Sequence, residues 1–320
     1  MKVILTGGAG FIGSCFLKTL NDMGVTNVIV VDNINSEDKT QNLKNKKYLA
    51  YYDKTEFLSK LNEISGVTHI VHLGACSSTT ETNVEYLYKN NVEYGIGLYE
   101  YALKVGASFI YASSAATYGL GERGFSDKLL PEELTPLNPY GVSKNLFDKF
   151  IYSKTTKPKQ VVGLKFFNVY GPNENHKKGM YSMVFQGFNQ VVSSGKIRLF
   201  KSNSEGVSNG EQKRDFIYVK DVCKVLWWCA RNENVNGIFN VGTGKAKSFN
   251  DLANAVFKAL NIDSNIEYFD MPSALKNQYQ NYTVADMSSL NSAGYKDAFY
   301  SLEEGVFDYI TNYLAPNKRY

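Results

Sequence analysis

The stretch Thr6-Gly-Gly-Ala-Gly-Phe-Ile-Gly13 decides the fold, because it joins two segments with different hydrophobic periods. Before it, Lys2 to Leu5 is a short, mostly apolar run of the kind that forms a buried strand. Phe11 to Met23 then carries apolar residues at helical spacing, and Val28 to Val31 begins a second apolar run. Strand, glycine-rich turn, helix and strand in this order predict a βαβ unit.

The alternation of strand and helix continues beyond this unit. Apolar runs and helical periodicity predict three more buried strands and two helical stretches. The strands are His69 to His72, Ser108 to Ala112 and Val161 to Phe167, and the helical stretches are Val84 to Val105 and Tyr140 to Lys154. Strands that alternate with helices predict an α/β protein with a doubly wound parallel sheet, the Rossmann fold.

The pattern loosens after Asn168, where loops with Gly and Asn separate two further predicted helices, Met183 to Ser193 and Val219 to Ala230. We therefore expect a smaller C-terminal α/β lobe beside the sheet. The predicted division gives the Rossmann domain residues 1–167 plus roughly 214–242, and the lobe roughly residues 168–213 plus 243–320.

Composition excludes several classes of protein. The 320 residues are 43% hydrophobic, and the 35 basic and 31 acidic residues are interspersed, with a net charge of +4. The sequence has no polybasic arm for nucleic acid or a membrane surface, and no run approaches the roughly 20 apolar residues of a membrane span. The cysteines Cys15, Cys76, Cys223 and Cys229 show no CxxC spacing, which predicts reduced, mostly buried thiols and a cytoplasmic protein.

The three glycines Gly7, Gly10 and Gly13 stand where the first strand turns into its helix. A tight turn, and a backbone that approaches a pyrophosphate closely, both require residues without a β-carbon. The free N–H groups at the start of the helix that follows suit phosphate oxygens. The position of the motif therefore predicts a dinucleotide site.

Asp32 follows the second strand about 20 residues beyond the glycines, where a carboxylate can bind the adenosine ribose hydroxyls and so favours NAD. Asn33 and Lys39 follow, however, and an amide with a cation can accept the 2'-phosphate of NADP. Both cofactors stay open on this argument. The small residues of Leu73-Gly-Ala-Cys76, at the end of the next strand, also suit backbone that lies against a cofactor.

Tyr140 and Lys144 are four residues apart at the start of a predicted helix, with Asn138 and Pro139 as its N-cap and first residue. Both side chains therefore lie on one face of the helix. A neighbouring ammonium group and the helix N-terminus favour the phenolate of a tyrosine, which can then exchange a proton with a substrate hydroxyl. Ser114, after the strand that begins at Ser108, can orient the reacting oxygen.

In these features the chain resembles the extended short-chain dehydrogenase/reductases, and in detail the branch that epimerises ADP-linked heptose at C6. The resemblance covers nearly the whole chain. The segments that carry it are Thr6 to Gly13, Gly74 to Glu81, Tyr111 to Gly119, Tyr140 to Lys144, Phe167 to Pro172 and Lys213 to Phe216.

The resemblance implies a tightly bound NADP, with NAD as the other candidate, and a catalytic set of Ser114, Tyr140, Lys144 and Lys177. Tyr140 and Lys177 would act as two bases, and the neighbouring Lys178 is the alternative to Lys177. Together the motif and the resemblance give a set of expected cofactor contacts. These are Gly7, Gly10, Phe11, Ile12, Gly13, Asp32, Asn33, Lys39, Lys54, Leu73, Gly74, Ala75, Cys76, Ser77, Asn90 and Lys144.

The resemblance also implies ADP-heptose as the substrate and a homo-oligomer, a pentamer in this branch. The expected substrate contacts are Ser114, Asn168, Val169, Gly179, Gln186, Phe200, Arg214 and Tyr279. Gly179 and Gln186 stand where the branch has serine and histidine, and the loop Ser202 to Gly210 is longer than in the branch. No metal is expected, because His69, His72 and His176 lack partners at metal-ligand spacing.

Three other functions fit the sequence less well. A sugar 4,6-dehydratase needs an acid and a base directly after Ser114, and Ala115 and Ala116 cannot transfer protons. A UDP-hexose 4-epimerase would use the same scaffold without requiring Lys177. A non-catalytic NADP-binding regulator would have no need of Ser114, Tyr140 and Lys144 together. We therefore expect an epimerase that inverts C6'' of ADP-heptose for lipopolysaccharide core synthesis.

Overall fold

The computed structural model describes residues 1–177, 179–273 and 279–320, and seven parallel strands form its central sheet. The predicted Rossmann fold is confirmed. The strands of this sheet are β1 (Val3–Thr6), β2 (Val28–Asp32), β3 (Ala50–Asp53), β4 (His69–His72), β5 (Ser108–Ser114), β6 (Gln160–Phe166) and β11 (Gly237–Val241).

The spatial order of the strands is β11-β6-β5-β4-β1-β2-β3, so the chain moves outward from β1 to one edge and then returns to the other side through β4. Val3 pairs with Val28 on one side and with His69 on the other. The order therefore reverses between β1 and β4. Ligands of open parallel sheets bind beyond the carboxyl ends of the strands at such a switch point.

Helices cover both faces of the sheet, and others pack in the C-terminal part of the chain. They are α1 (Phe11–Asp22), α2 (Glu37–Leu43), α3 (Lys54–Lys60), α4 (Val84–Tyr88), α5 (Tyr94–Val105), α6 (Pro139–Ser153), α7 (Met183–Ser194), α8 (Val219–Arg231), α9 (Phe249–Leu260), α10 (Ser288–Ser292) and α11 (Leu302–Tyr309). Alternate residues of β1 belong to different buried clusters: Val3 and Leu5 pack with α1 and α8, and Ile4 packs with α5 and α6. Burial of both faces explains why the strands are continuous apolar runs.

The C-terminal part of the chain adds three small two-stranded sheets. β7 (Asn168–Tyr170) pairs with β10 (Phe216–Tyr218), β8 (Ile197–Phe200) with β13 (Ile266–Phe269), and β9 (Lys213–Arg214) with β12 (Lys247–Ser248). The loop 202–210 contains turns, with no helix or strand assigned to its residues. The division of the chain into two domains stays a prediction, although β11 does join the main sheet from within residues 214–242.

Most predicted elements match the structure within one or two residues. The strand that begins at Ser108 is predicted to end at Ala112. In the structure it continues for two more residues, so that Ser114 is the last residue of β5. The predicted helix Val84 to Val105 is interrupted by a π-helical turn, Lys89–Glu93, between α4 and α5.

Three cysteines are buried and Cys76 is half-buried, all as free thiols. Among the helices of the described ranges, none is both long and apolar enough to cross a membrane.

Candidate active site

The glycine-rich turn brings two backbone segments into contact at the switch point. Gly7 has a φ of 68°, and a β-carbon there would lie 2.7 Å from the backbone nitrogen of Gly74. A β-carbon at Gly13 would lie 2.0 Å from the Gly7 carbonyl oxygen. Gly10 is the N-cap of α1, and within the described residues no side chain caps this helix. The N–H groups that begin α1 are therefore available to phosphate oxygens, and the turn fits a dinucleotide.

Asp32 is held by the groups that surround the adenosine end of the predicted site. Its Oδ2 accepts a hydrogen bond from the backbone N–H of Ala9 at 2.9 Å, inside the glycine turn. Lys39 Nζ donates to Asp32 Oδ1 at 2.8 Å and to the carbonyl oxygen of Asn33 at 2.8 Å. The structure thus brings the three predicted residues Asp32, Asn33 and Lys39 together, and the ammonium of Lys39 balances the carboxylate charge.

Two further predicted cofactor residues contact each other. Lys54 Nζ donates to Asn90 Oδ1 at 2.7 Å, so that the start of α3 meets the π-helical turn. The segment from Leu73 to Ser77 leaves the end of β4 next to Gly7, as the close approach of Gly74 shows. Phe11 is buried as the first residue of α1, with Ile12 half-buried beside it.

Asn91, which the sequence did not suggest, connects this segment to the catalytic helix. The Asn91 side chain accepts from the backbone N–H of Cys76 at 2.8 Å and donates to the Cys76 carbonyl at 3.0 Å. Asn91 Nδ2 also donates to Ser143 Oγ at 2.9 Å, and Ser143 Oγ donates to the carbonyl of Tyr140 at 2.7 Å. A single buried amide therefore fixes the strand end beside the N-terminal turn of α6.

Ser114 and Tyr140 meet at the carboxyl edge of the sheet. Asn138 caps α6 by accepting from the N–H of Gly141 at 2.8 Å, with Pro139 as first residue, as expected. Tyr140 is half-buried and hydrogen-bonded to Ser114. Burial raises the pKa of Tyr140, and the hydrogen bond to Ser114 opposes this rise. The phenol therefore depends on Ser114, and on any charge that arrives with a ligand, to reach its ionised form.

Lys144 lies one helical turn beyond Tyr140 and is 5% exposed. Its Nζ donates to the carbonyl oxygen of Ala112 in β5 at 2.9 Å. Burial lowers the pKa of Lys144 to about 8, while the nearby carboxylate of Asp148 opposes the decrease. At neutral pH the ammonium form still predominates, so Lys144 can offer its remaining N–H donors to a ribose hydroxyl.

Lys177 lies on the β7–α7 loop, residues 171–182, against the first residue of α1. Its Nζ is 5.1 Å from the centre of the Phe11 ring. Three residues further on, the Met180 sulfur accepts from Thr79 Oγ1 at 3.9 Å, in the segment that follows β4. The loop thus runs from the glycine turn to the β4 segment. Burial lowers the pKa of Lys177, and the charge of Glu174 opposes this.

The β7–α7 loop is anchored by a buried carboxylate. Glu174 is 0% exposed, and its oxygens accept from Ser182 N at 2.5 Å, from Ser182 Oγ at 2.7 Å and from Tyr309 OH at 3.2 Å. Asn42 adds a second anchor, because its Nδ2 donates to the carbonyls of both Ala9 and Asn173. Neither anchor was predicted from the sequence. Lys178, the alternative second base, lies outside the described residues.

Arg214, the last residue of β9, forms the centre of an aromatic cluster. The guanidinium carbon lies 5.0 Å from the ring centre of Tyr279 and 5.6 Å from that of Phe249. Phe200 packs edge-on against Tyr279, with ring centres 6.1 Å apart. The structure therefore brings the predicted residues Arg214, Phe200 and Tyr279 together. A guanidinium beside aromatic faces can bind a diphosphate and a stacked ring.

The remaining predicted substrate residues lie on β7, on the β7–α7 loop and on α7. Asn168 is exposed and Val169 half-buried on β7, and Gly179 is exposed with a φ of 78°. Gln186 on α7 donates to the carbonyl of Tyr181 at 2.8 Å and so supports the β7–α7 loop. Within residues 1–177, 179–273 and 279–320, no group of three His, Cys, Asp or Glu side chains is arranged to hold a metal ion.

Comparison with known proteins identifies the family. Residues 3–242 match the model of the NAD dependent epimerase/dehydratase family. The chain belongs to this family. It is 45% identical over 330 aligned positions to the ADP-L-glycero-D-manno-heptose-6-epimerase of Fusobacterium nucleatum, covering 99% of each chain. It is 46% identical to the enzyme of the same name from Nitratidesulfovibrio vulgaris, covering 98% of each. The expected family and its nicotinamide-dependent chemistry are therefore confirmed.

Solved structures agree with this assignment. The ADP-L-glycero-D-manno-heptose-6-epimerase of Helicobacter pylori superposes with a TM-score of 0.82 at 29% identity, covering 97% of this epimerase-family chain and 95% of that one. The UDP-glucose 4-epimerase of Thermotoga maritima has a TM-score of 0.81 at 24% identity, with 99% of each chain covered. That second likeness shows the shared fold alone.

Proposed function

We propose that the chain inverts C6'' of ADP-D-glycero-β-D-manno-heptose to give ADP-L-glycero-β-D-manno-heptose, and so supplies heptose for the lipopolysaccharide core. The observation that carries the proposal is a pair of proton-transfer groups on separate elements, Tyr140 on α6 and Lys177 on the β7–α7 loop. The full-length similarity to enzymes of this name supports the choice of sugar.

The chemistry of the substrate explains why a nicotinamide is needed. C6'' carries a hydroxyl and has no adjacent carbonyl, so its hydrogen is not acidic and simple deprotonation cannot invert it. When bound, the nicotinamide supplies reversible hydride transfer, which makes C6'' a ketone and afterwards reduces it. The exocyclic carbon can present its other face by rotation about its bond to the ring. The overall reaction therefore involves no net oxidation.

Rotation of the C6'' carbonyl brings its oxygen to a different place in the site, so two proton-transfer groups on different sides are useful. Tyr140 exchanges a proton with the hydroxyl of one epimer, and Ser114 orients that oxygen through its hydroxyl. Lys177 serves the other epimer. Its burial lowers the pKa, so the neutral amine is accessible for proton abstraction. Lys144 donates to the nicotinamide ribose and holds the cofactor next to Tyr140.

We further propose that the cofactor is NADP. The Asp32 carboxylate alone would repel a 2'-phosphate, but Lys39 already neutralises it at 2.8 Å. Lys39 keeps one N–H donor for the phosphate while it contacts Asp32 and the Asn33 carbonyl, because an ammonium has three. We assign the remaining predicted cofactor residues, from Gly7 to Asn90, to the same dinucleotide.

Arg214 is proposed to bind the diphosphate of the substrate, with Phe200 and Tyr279 beside the adenine. Gln186, Gly179, Asn168 and Val169 would line the sugar. This assignment takes roughly residues 168–213 and 243–320 as the substrate lobe, with Arg214 at its boundary with the Rossmann domain. A cytoplasmic homo-oligomer, a pentamer by resemblance, completes the proposal.

The test is to incubate the purified protein, with its bound cofactor, with ADP-D-glycero-β-D-manno-heptose and to follow the configuration at C6'' by NMR. We expect an equilibrium mixture of the two epimers with no net change in cofactor oxidation state. UDP-glucose is the matched control, because a UDP-hexose 4-epimerase would use the same scaffold. Inversion of UDP-glucose at C4, with no change at C6'' of the heptose, would contradict the proposal.

A further inference from the structure

A buried ion pair joins α6, the helix of Tyr140 and Lys144, to β6. Asp148 on α6 is 0% exposed, Lys165 on β6 is 2% exposed, and Lys165 Nζ donates to Asp148 Oδ2 at 2.6 Å. Removing two charges from water costs several kcal/mol per ion, so such a pair is weak evidence for stability. The contacts that each partner makes around the pair indicate what else it does.

Asp148 binds α6 to the strand that ends at Ser114. Its Oδ1 accepts from Tyr111 OH at 2.9 Å and its Oδ2 accepts from Ser113 Oγ at 2.7 Å. Tyr111 and Ser113 are two residues apart on β5, so their side chains lie on the same face of the sheet, the face on which α6 packs. Ser113 directly precedes Ser114, and Asp148 is one turn beyond Lys144 and two turns beyond Tyr140. One carboxylate thus connects the element that carries Tyr140 to the element that carries Ser114.

Lys165 extends the connection to the turn that follows Ser114. Its Nζ donates to Thr117 Oγ1 at 2.8 Å, and Thr117 Oγ1 donates to the carbonyl oxygen of Ser114 at 2.8 Å. The same ammonium lies 5.3 Å from the centre of the Tyr118 ring. Side chains from α6, β5, β6 and the turn after Ser114 therefore share one buried network next to Ser114.

We propose that Asp148 and Lys165 are positioning residues for the reaction: they hold α6 in register against β5 and so fix Tyr140 and Lys144 relative to Ser114. The proposal rests on the function given above only through these three groups. The physical reason is that sub-ångström misplacement of reacting groups costs rate, whereas an apolar contact between helix and sheet allows sliding.

The Asp148 charge also acts on Lys144. The titratable groups that face Lys144 are Asp148 from its own helix, Cys76 from the segment after β4, and His72 from β4. Asp148 is the largest of the influences that keep the pKa of Lys144 from decreasing further below about 8. Without this negative charge the pKa of Lys144 decreases, and the ammonium form is lost at a lower pH.

The experiment compares Asp148→Asn with Asp221→Asn in the cofactor-bound protein. Asp221 is a matched control, because it is also 0% exposed, accepts from a lysine, Lys224, at 2.8 Å, and lies on α8. Two quantities are measured. The first is the pH profile of kcat for C6'' inversion, and the second is the pKa of Lys144 by competitive labelling with trace acetic anhydride and peptide mass spectrometry.

We expect Asp148→Asn to lower kcat by about tenfold or more with KM little changed, as for a loss of about 1.4 kcal/mol or more at the transition state. The basic limb of its profile and the labelling pKa of Lys144 should both move to lower pH. Asp221→Asn should lower thermal stability and leave both quantities unchanged. An unchanged Lys144 pKa in Asp148→Asn, or the same kcat loss in Asp221→Asn, would overturn the proposal.

Thr117→Val keeps the test decisive if Asp148→Asn does not fold. This change removes the contact between Lys165 and the turn after Ser114 without altering a charge. We expect kcat to decrease several-fold with the basic limb unmoved, and full kcat would contradict the positioning role. If the wild-type protein does not invert C6'', the proposed function fails, but the labelling pKa of Lys144 still tests the effect of Asp148.

Discussion

The two proposed bases lie on supports of very different kinds. Tyr140 is on α6, a regular helix with a capped N-terminus that packs on the sheet and is tied to it through Asp148. Lys177 is on the β7–α7 loop, which has no helix or strand among its described residues. That loop is held by two buried polar side chains, Glu174 and Asn42, which form hydrogen bonds with its backbone.

The difference teaches how irregular backbone can carry a catalytic group. A loop has few repeating hydrogen bonds, so buried polar side chains have to satisfy its N–H and C=O groups. Glu174 does this with acceptors alone, and Asn42 adds a donor to the Asn173 carbonyl. Burial raises the pKa of Glu174, and hydrogen bonds from Ser182 oppose the rise. The helix that carries Tyr140 keeps its own repeating backbone hydrogen bonds, and Asp148 fixes only its position against β5.

The largest expected effect comes from removing either base. Tyr140→Phe and Lys177→Met should each lower C6'' inversion by about 10²- to 10⁴-fold, the usual contribution of general acid–base catalysis. NADP affinity should remain nearly intact, measured by fluorescence titration. Lys178→Met is the control and should keep most of its activity. Full activity in Lys177→Met together with loss in Lys178→Met would show that the neighbouring lysine is the base.

The helix-borne half of this pair could be predicted from the sequence, and the reason is physical. The glycine turn, the N-cap at Asn138 and the four-residue spacing of Tyr140 and Lys144 are local patterns, which depend on a few consecutive residues. Alternating strands and helices then place Ser114 at the same sheet edge. Lys177 has no such pattern, and only the resemblance singled it out.

A smaller effect is expected when the anchor of the loop is changed. Glu174→Gln replaces one acceptor oxygen by an N–H₂ group that faces the donors Ser182 and Tyr309. An unsatisfied buried donor destabilises the native arrangement of the loop by about 1–3 kcal/mol. We expect the loop to shift in response and to displace Lys177, so that kcat decreases roughly tenfold. KM for the heptose should change little if the role is to position Lys177. Tyr309→Phe removes only one bond to Glu174 and should show a lesser loss in the same steady-state assay.

Anchors of this kind could not be found in the sequence. Asn42 and the Asn173 carbonyl are 131 residues apart, and Tyr309 and Glu174 are 135 apart. A lone Asn or Glu in a polar segment gives no local signal of burial, because its role depends on partners that only the folded chain brings together. The same holds for Asn91 and Asp148. In the sequence, Asp148 has the pattern of an ordinary polar residue of a helix, and only the folded chain brings it against β5 and β6.

The third prediction concerns the adenosine end of the site, where Lys39 balances Asp32. Lys39→Ala should lower NADP affinity relative to NAD by about tenfold or more, because a hydrogen bond to a charged group contributes about 1.5–3 kcal/mol. Lys54→Ala is the matched control. Its lysine contacts Asn90 rather than Asp32, so NADP and NAD should weaken alike. Equal losses for both cofactors in Lys39→Ala, measured by calorimetry, would contradict a 2'-phosphate contact.

The smallest expected effect is on stability in acid, and it compares one histidine from each region. His72 in β4 contacts Thr6 Oγ1 at 2.7 Å, and burial lowers the pKa of His72 to about 3. His176 on the β7–α7 loop lies 3.3 Å from Asn42 Nδ2, and burial, with the charges of Lys39 and Lys177, lowers the pKa of His176 to about 4.

Both pKa values in the folded protein lie below the ordinary histidine pKa of 6.5, so the unfolded chain binds more protons than the native chain as the pH decreases. The contribution of the two histidines to the free energy of unfolding is therefore fully present above about pH 6.5. It decreases toward pH 4, by up to about 1.4 kcal/mol per pH unit for each histidine. His176→Gln should flatten this slope only between pH 6.5 and 4, and by less than the full amount because the ring is half-buried. Urea unfolding at pH 7, 5.5 and 4.5 measures it. Parallel curves for wild type and variant would mean that the loop histidine is already free to take up a proton in the folded protein, and that the β7–α7 loop is held less firmly than its contacts with Asn42 and Glu174 indicate.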